Sequence, residues 1–178
     1  MNNCMKLLAV VVLSAAGMSA ASASTTGTIT ITGNVIDQTC EVDAAQLTRT
    51  IDFGDLSMGN ITAVAQNASV TSKPLVFGVT KCPASINGVG IKFDYTADAT
   101  NTQYITNTGD GTGALFGITD NNDQSVVNGG TVWADDLDAT AGTATVNAKV
   151  HVYRTGATEA DVGAGAINST ATVTVDMK

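Results

Sequence analysis

The chain is short of the residues that do chemistry. Its 178 residues include one histidine, His151, and two prolines. Aromatic residues make up 4 % and charged residues 13 %. Eight lysines and arginines stand against sixteen aspartates and glutamates, for a net charge of −8. Each shortage excludes something. A duplex-binding protein must neutralise phosphates with basic side chains, so nucleic acid is not an expected partner. One histidine excludes a His-rich metal site and any mechanism that needs two histidines. The low charge does not mean disorder, because 44 % of the residues are hydrophobic and can form a core. Alanine, threonine, valine and glycine carry the composition. That bias argues against a helical bundle. The length suits one domain with a sizeable core.

Residues 1–23 read as a secretory signal. Lys6 supplies the positive start, and Leu7 to Ala16 is an apolar stretch too short to span a bilayer. Ala21-Ser22-Ala23 offers small residues for cleavage after Ala23. Cys4 precedes the apolar stretch and leaves with the signal. The alternative is a short membrane anchor, which the lack of a longer apolar run disfavours. The cut leaves Cys40 and Cys82. An even pair in an oxidising compartment reads as a disulfide. The same cut removes Lys6 and makes the mature chain one unit more acidic.

The mature chain shows a period of two. Thr28-Ile29-Thr30-Ile31-Thr32 alternates strictly, and Val35 continues the odd positions beyond Gly33. Arg49-Thr50-Ile51-Asp52-Phe53 alternates. Leu75, Phe77 and Val79 lead towards Cys82. Ile91, Phe93 and Tyr95 share one face, and so do Val146, Ala148, Val150 and Val152. The last run places Ala171, Val173, Val175 and Met177 on one face, with Thr172, Thr174 and Asp176 on the other. Each pattern predicts a half-buried strand. Glycine- and asparagine-rich turns separate the runs, and no twelve-residue window carries a helical stripe. About seven short strands with such turns suggest a β-sandwich. Two strands are unusual. The Ile29/Ile31 strand is short, threonine-rich and uncharged, and cannot be stable alone. The final strand presents an apolar edge that an ordinary sandwich would protect.

In this order the residues resemble the structural pilins of chaperone–usher fimbriae of the type 1 kind. The resemblance rests on Thr28 to Val35 followed closely by Cys40, and on Cys82 about forty residues later at a strand end. It rests also on Tyr153-Arg154-Thr155-Gly156-Ala157 and on the closing Ala-Thr-Val-Thr-Val alternation. It covers essentially the whole mature chain. It implies an all-β fold: an incomplete immunoglobulin-like β-sandwich lacking the last strand, with an N-terminal donor-strand extension. The implied parts are a signal peptide over 1–23, the extension over 24–36 and the pilin domain over 37–178. Ile29, Ile31, Gly33 and Val35 would face a neighbour's groove, with Gly27 earlier in the same series. Gly33 matches the family's extension glycine, which lets the strand pass a shallow pocket; the alternative is a bulge in an ordinary first strand. Ala171, Val173, Val175 and Met177 would line the receiving edge. The family usually has an aromatic at the position of Met177, and methionine can fill an irregular pocket.

The implied partners are a periplasmic pilus chaperone, an outer-membrane usher, neighbouring pilin subunits and a tip adhesin. No cofactor is implied. Strand donation joins such subunits, with main-chain hydrogen bonds giving affinity and alternate side chains giving register. The resemblance implies a structural subunit at the cell surface, not an enzyme. A shaft (major) subunit is favoured over an adaptor by the small, low-charge composition. The mature chain is too short for a two-domain adhesin. A self-contained secreted β-sandwich carbohydrate-binding module is the alternative, and a secreted hydrolase a weaker one.

Other features carry less. Asp120-Asn121-Asn122-Asp123-Gln124 has Ser125 where a calcium loop needs glycine and Thr131 where it needs glutamate, so a hairpin turn is expected. Asp135, Asp136 and Asp138 read as a solvated loop rather than a carbohydrate or cation contact. His151 falls on the polar face of its strand and is expected to be exposed. No Gly-x-Ser-x-Gly elbow accompanies the serines.

Overall fold

The computed structural model describes residues 39–178 together with Thr32. The expected signal and the donor-strand positions Ile29, Ile31, Gly33 and Val35 lie outside the described residues. The unit that carries the sheets is Ile36–Lys178.

Among the described residues, seven strands run in chain order: β1 (Glu41–Val42), β2 (Ser69–Thr80), β3 (Val89–Tyr95), β4 (Ala114–Asp120), β5 (Gly130–Trp133), β6 (Ala144–Arg154) and β7 (Ala171–Met177). The helices are short, α1 over Ala44–Leu47 and α2 over Met58–Thr62, with one 3-10 turn at Glu159–Asp161. Asp43 caps α1 by accepting from the Ala45 N–H, and Ser57 caps α2 by accepting from the Asn60 N–H. One sheet has the order β1-β2-β6-β4 and the other β5-β3-β7. All pairings are antiparallel. The alternating residues of β2, β3 and β6 meet between the sheets. Phe77, Val79, Val89, Ile91, Phe93 and Val146 are almost fully buried there, and Phe77 meets Phe93 edge to face at 6.2 Å.

Cys40 and Cys82 form the disulfide, across a sequence separation of 42. It ties the start of β1 to the residues just past β2. Gly142 packs against it with φ +65, where a side chain would meet the Cys82 carbonyl oxygen at 2.8 Å. Only glycine takes both the left-handed backbone and the close approach without strain.

Two sequence expectations need correcting, and two strands carried no expectation. Arg49–Phe53 alternates but forms no strand; it lies in a stretch without strand pairing, joined to β2 by Arg49 Nη2 on the Val76 carbonyl and by the Asp52 carbonyl, which accepts from Lys73 Nζ. β4 and β5 gave no alternating signal. β4 is covered on both faces: Phe116 and Ile118 turn inward, while Gly117 and Thr119 are buried on the outer side. A strand covered on both sides loses its period-two pattern. β5 has only four residues, too few to show one. His151 does lie on the outer face of its sheet, but it is buried there at 8 % exposure because neighbouring side chains close over it.

The Tyr153–Ala157 segment also gains a physical role. Arg154 is buried, with its Nε donating to the Gly156 carbonyl at 3.0 Å and its Nη1 to the Thr62 and Val64 carbonyls at 2.8 and 2.7 Å. Carbonyls near the end of α2 thus satisfy a buried cation in place of a carboxylate.

Candidate functional site

β7 has a free edge. Gly88 and Lys178 exchange backbone hydrogen bonds in both directions at 3.0 Å. Bonded and non-bonded pairs alternate along an antiparallel ladder. Following the register back from Lys178, Asp176, Thr174 and Thr172 bond to β3. Met177, Val175, Val173 and Ala171 therefore turn their N–H and C=O groups away from β3. No strand among the described residues meets them. No residue of β7 is fully buried, although Val89, Ile91 and Phe93 of its neighbour are. The core is open on this side.

The opening is a groove of about 490 Å³ with an apolar floor and partly polar walls. Leu75, Phe77, Phe93, Phe116, Ile118 and Val150 line its floor. The stretch around Arg49–Phe53 forms one wall, and Ile167 to Val173 forms the other. Of the four residues expected at the receiving edge, Ala171 and Val173 line this groove. Val175 and Met177 are half-buried and pack on the main core. The Cys40 N–H lies 3.5 Å from the Met177 sulfur, so this methionine fills the corner beside the disulfide.

The opposite edge of β2 is capped unusually. The Gly78 N–H donates to Gln46 Oε1 at 2.7 Å, and Arg49 Nη2 donates to the Val76 carbonyl at 2.9 Å. The backbone groups of these even-numbered residues thus point away from β6. Pro74 falls in the same series, where a missing N–H costs no ladder bond to β6. Sequence reasoning missed Gln46 and Arg49, because a side chain standing in for a strand partner leaves no periodic trace.

The polar clusters have structural roles. Asp120 Oδ1 accepts from the Asn122 and Gln124 N–H groups, both at 2.8 Å, and shapes the turn after β4. Asp138 Oδ1 accepts from the Thr140 and Ala141 N–H groups, and Asp136 Oδ1 from the Thr145 N–H. These carboxylates stabilise turns. His151 sits between Ser69 Oγ, 2.8 Å from Nδ1, and Thr119 Oγ1, 3.1 Å from Nε2, and stacks on Tyr153 at 5.4 Å. Burial lowers its pKa, the Asp123 carboxylate raises it in part, and Lys149 lowers it. The fold therefore favours the neutral ring. Its stabilising contribution is fully present above the unfolded value of about 6.5 and is lost as pH falls through the lower folded value. Urea midpoints of His151→Gln should vary less with pH below about 6.5 than those of the parent. An unchanged slope would assign the effect to another group.

Comparison with known proteins gives this geometry a context. The family model for fimbrial proteins matches residues 29–178. The chain is 31 % identical over 162 residues to the uncharacterized fimbrial-like protein YbgD of Escherichia coli strain K12, covering 85 % of each. Its fold matches a subunit of a chaperone–usher pilus solved in a study of rod uncoiling, at TM-score 0.65 and 19 % identity, over 88 % of this chain and 98 % of that one. It also matches the P pilus rod subunit PapA at TM-score 0.60 and 19 % identity, over 78 % and 99 % of the two chains. The fimbrial family is one of structural proteins and not of enzymes. The chain belongs to the fimbrial protein family, and its fold is that of chaperone–usher pilus subunits.

Proposed function

We propose that this chain is exported through the periplasm and polymerises into a surface fimbria by donor-strand exchange. Residues 24–36 of one copy fill the groove beside β7 of the next. The observation that carries this reading is the groove itself: an opened core flanked by a strand whose inward-facing residues also hold the outward-turned backbone groups. Ile29, Ile31 and Val35 supply apolar side chains at the matching two-residue spacing, and Gly33 supplies none. A periplasmic chaperone fills the groove before assembly at an outer-membrane usher, and a tip adhesin ends the fibre. The small, low-charge composition favours a shaft subunit over an adaptor, and the rod subunit PapA shares the fold.

Capture of a labelled peptide spanning residues 24–36 tests this. The full exported chain, refolded from denaturant with the peptide, should retain it. Val173→Glu places an unpaired charge in the apolar groove and should weaken capture more than tenfold, because burying such a charge costs several kcal/mol. Val127→Glu, at a position 52 % exposed and outside the groove, should capture normally. Equal capture by both variants would refute the groove as the binding site.

A further inference from the structure

One residue of the groove has a position that strand donation alone does not explain. Arg49 and Phe77 both line the groove. The Arg49 guanidinium carbon lies 4.7 Å from the centroid of the Phe77 ring, a cation–π distance. Phe77 is 1 % exposed although it forms part of the floor of an open groove. The cation and an aliphatic side chain cannot both occupy that face of the ring. The arginine is also held lightly: Nη2 donates to the Val76 carbonyl, and the stretch from Thr48 to Ser57 pairs with no strand. It can swing away without breaking a ladder.

We propose that Arg49 is a removable cover for the strand-receiving groove. It rests on Phe77 while the groove is empty and moves aside when an apolar strand enters. This rests on the donor-strand reading above. The cover slows entry of a strand and keeps the aromatic floor from sticking to other apolar surfaces. It also disfavours any strand that places a cation opposite Phe77.

The test measures capture of the same labelled peptide, as a rate, by the full exported chain and by Arg49→Ala and Arg49→Lys. Removing a cation–π contact at a partly exposed site should speed capture by Arg49→Ala about two- to fivefold. Arg49→Lys retains the cation and should stay near the parent rate. Without peptide, an environment-sensitive hydrophobic dye should fluoresce more strongly with Arg49→Ala than with the parent. Capture by Arg49→Ala at an equal or lower rate would overturn the cover and leave strand donation standing. An unchanged dye signal would also overturn it. If neither parent nor variant captures peptide, strand donation itself fails, and a cover with no strand to admit fails with it.

Discussion

A chain lacking residues 24–36 is expected to reach the chaperone-bound state and to form no fibres. On the donor-strand reading proposed above, the deletion removes the strand that a neighbour would receive and leaves the groove that a chaperone would fill. The lost interaction is large. Burying each of Ile29, Ile31 and Val35 contributes roughly 1.5–3 kcal/mol, before any main-chain bonds to β7 are added. No other described strand can take that place, since β7 meets only β3. Electron microscopy of cells expressing the deleted chain, with an antibody to it, would show bare surfaces. The chain itself should co-purify with the chaperone. Fibres made of the deleted chain would end the donor-strand account.

The second large effect is expected at the disulfide. Cys40→Ser opens a loop closed across 42 residues, and loop entropy assigns such a bridge about 4 kcal/mol. That is a large share of the 5–15 kcal/mol typical of a folded domain. This fold also exposes part of its core along β7, so it has less to spare. The variant should accumulate poorly in the periplasm, and an immunoblot of periplasmic fractions reads this directly. Accumulation equal to the parent's would show that the bridge contributes little.

Much of the fold was legible because β2, β3, β6 and β7 each face one apolar layer, so their side chains alternate. The disulfide followed from two cysteines left in a chain whose N-terminus reads as a secretory signal. The limits are equally physical. β4 is covered on both faces, with Gly117 under the rings of Tyr104 and Tyr153, and so shows no alternation. Arg49–Phe53 alternates because Ile51 and Phe53 do turn towards apolar neighbours. Alternation reports burial, though, and not hydrogen bonding, and this stretch forms no ladder with any described strand. The alternation of β6 puts His151 on the outer face, but its burial there depends on Ser69 and Thr119, which are distant in sequence. The groove was foreshadowed by the unprotected apolar edge of β7. The position of Arg49 on its floor was not, since a cation over a ring needs coordinates to be seen.

The Cys40–Cys82 bridge has a mechanical consequence. In a fibre built by strand donation, pulling force enters each subunit through the segment that leads into Cys40. β1 offers two residue pairs with β2, a patch too small to carry load. The covalent bridge shunts the force past it to Cys82, at the end of β2. From there tension spreads along the extended ladder with β6, which runs from Ser69 to Val79. Loaded from one end, that ladder is sheared and shares the strain among many hydrogen bonds, whereas a peeled edge would break them singly. The bridge is then a force-transfer joint as well as a folding constraint.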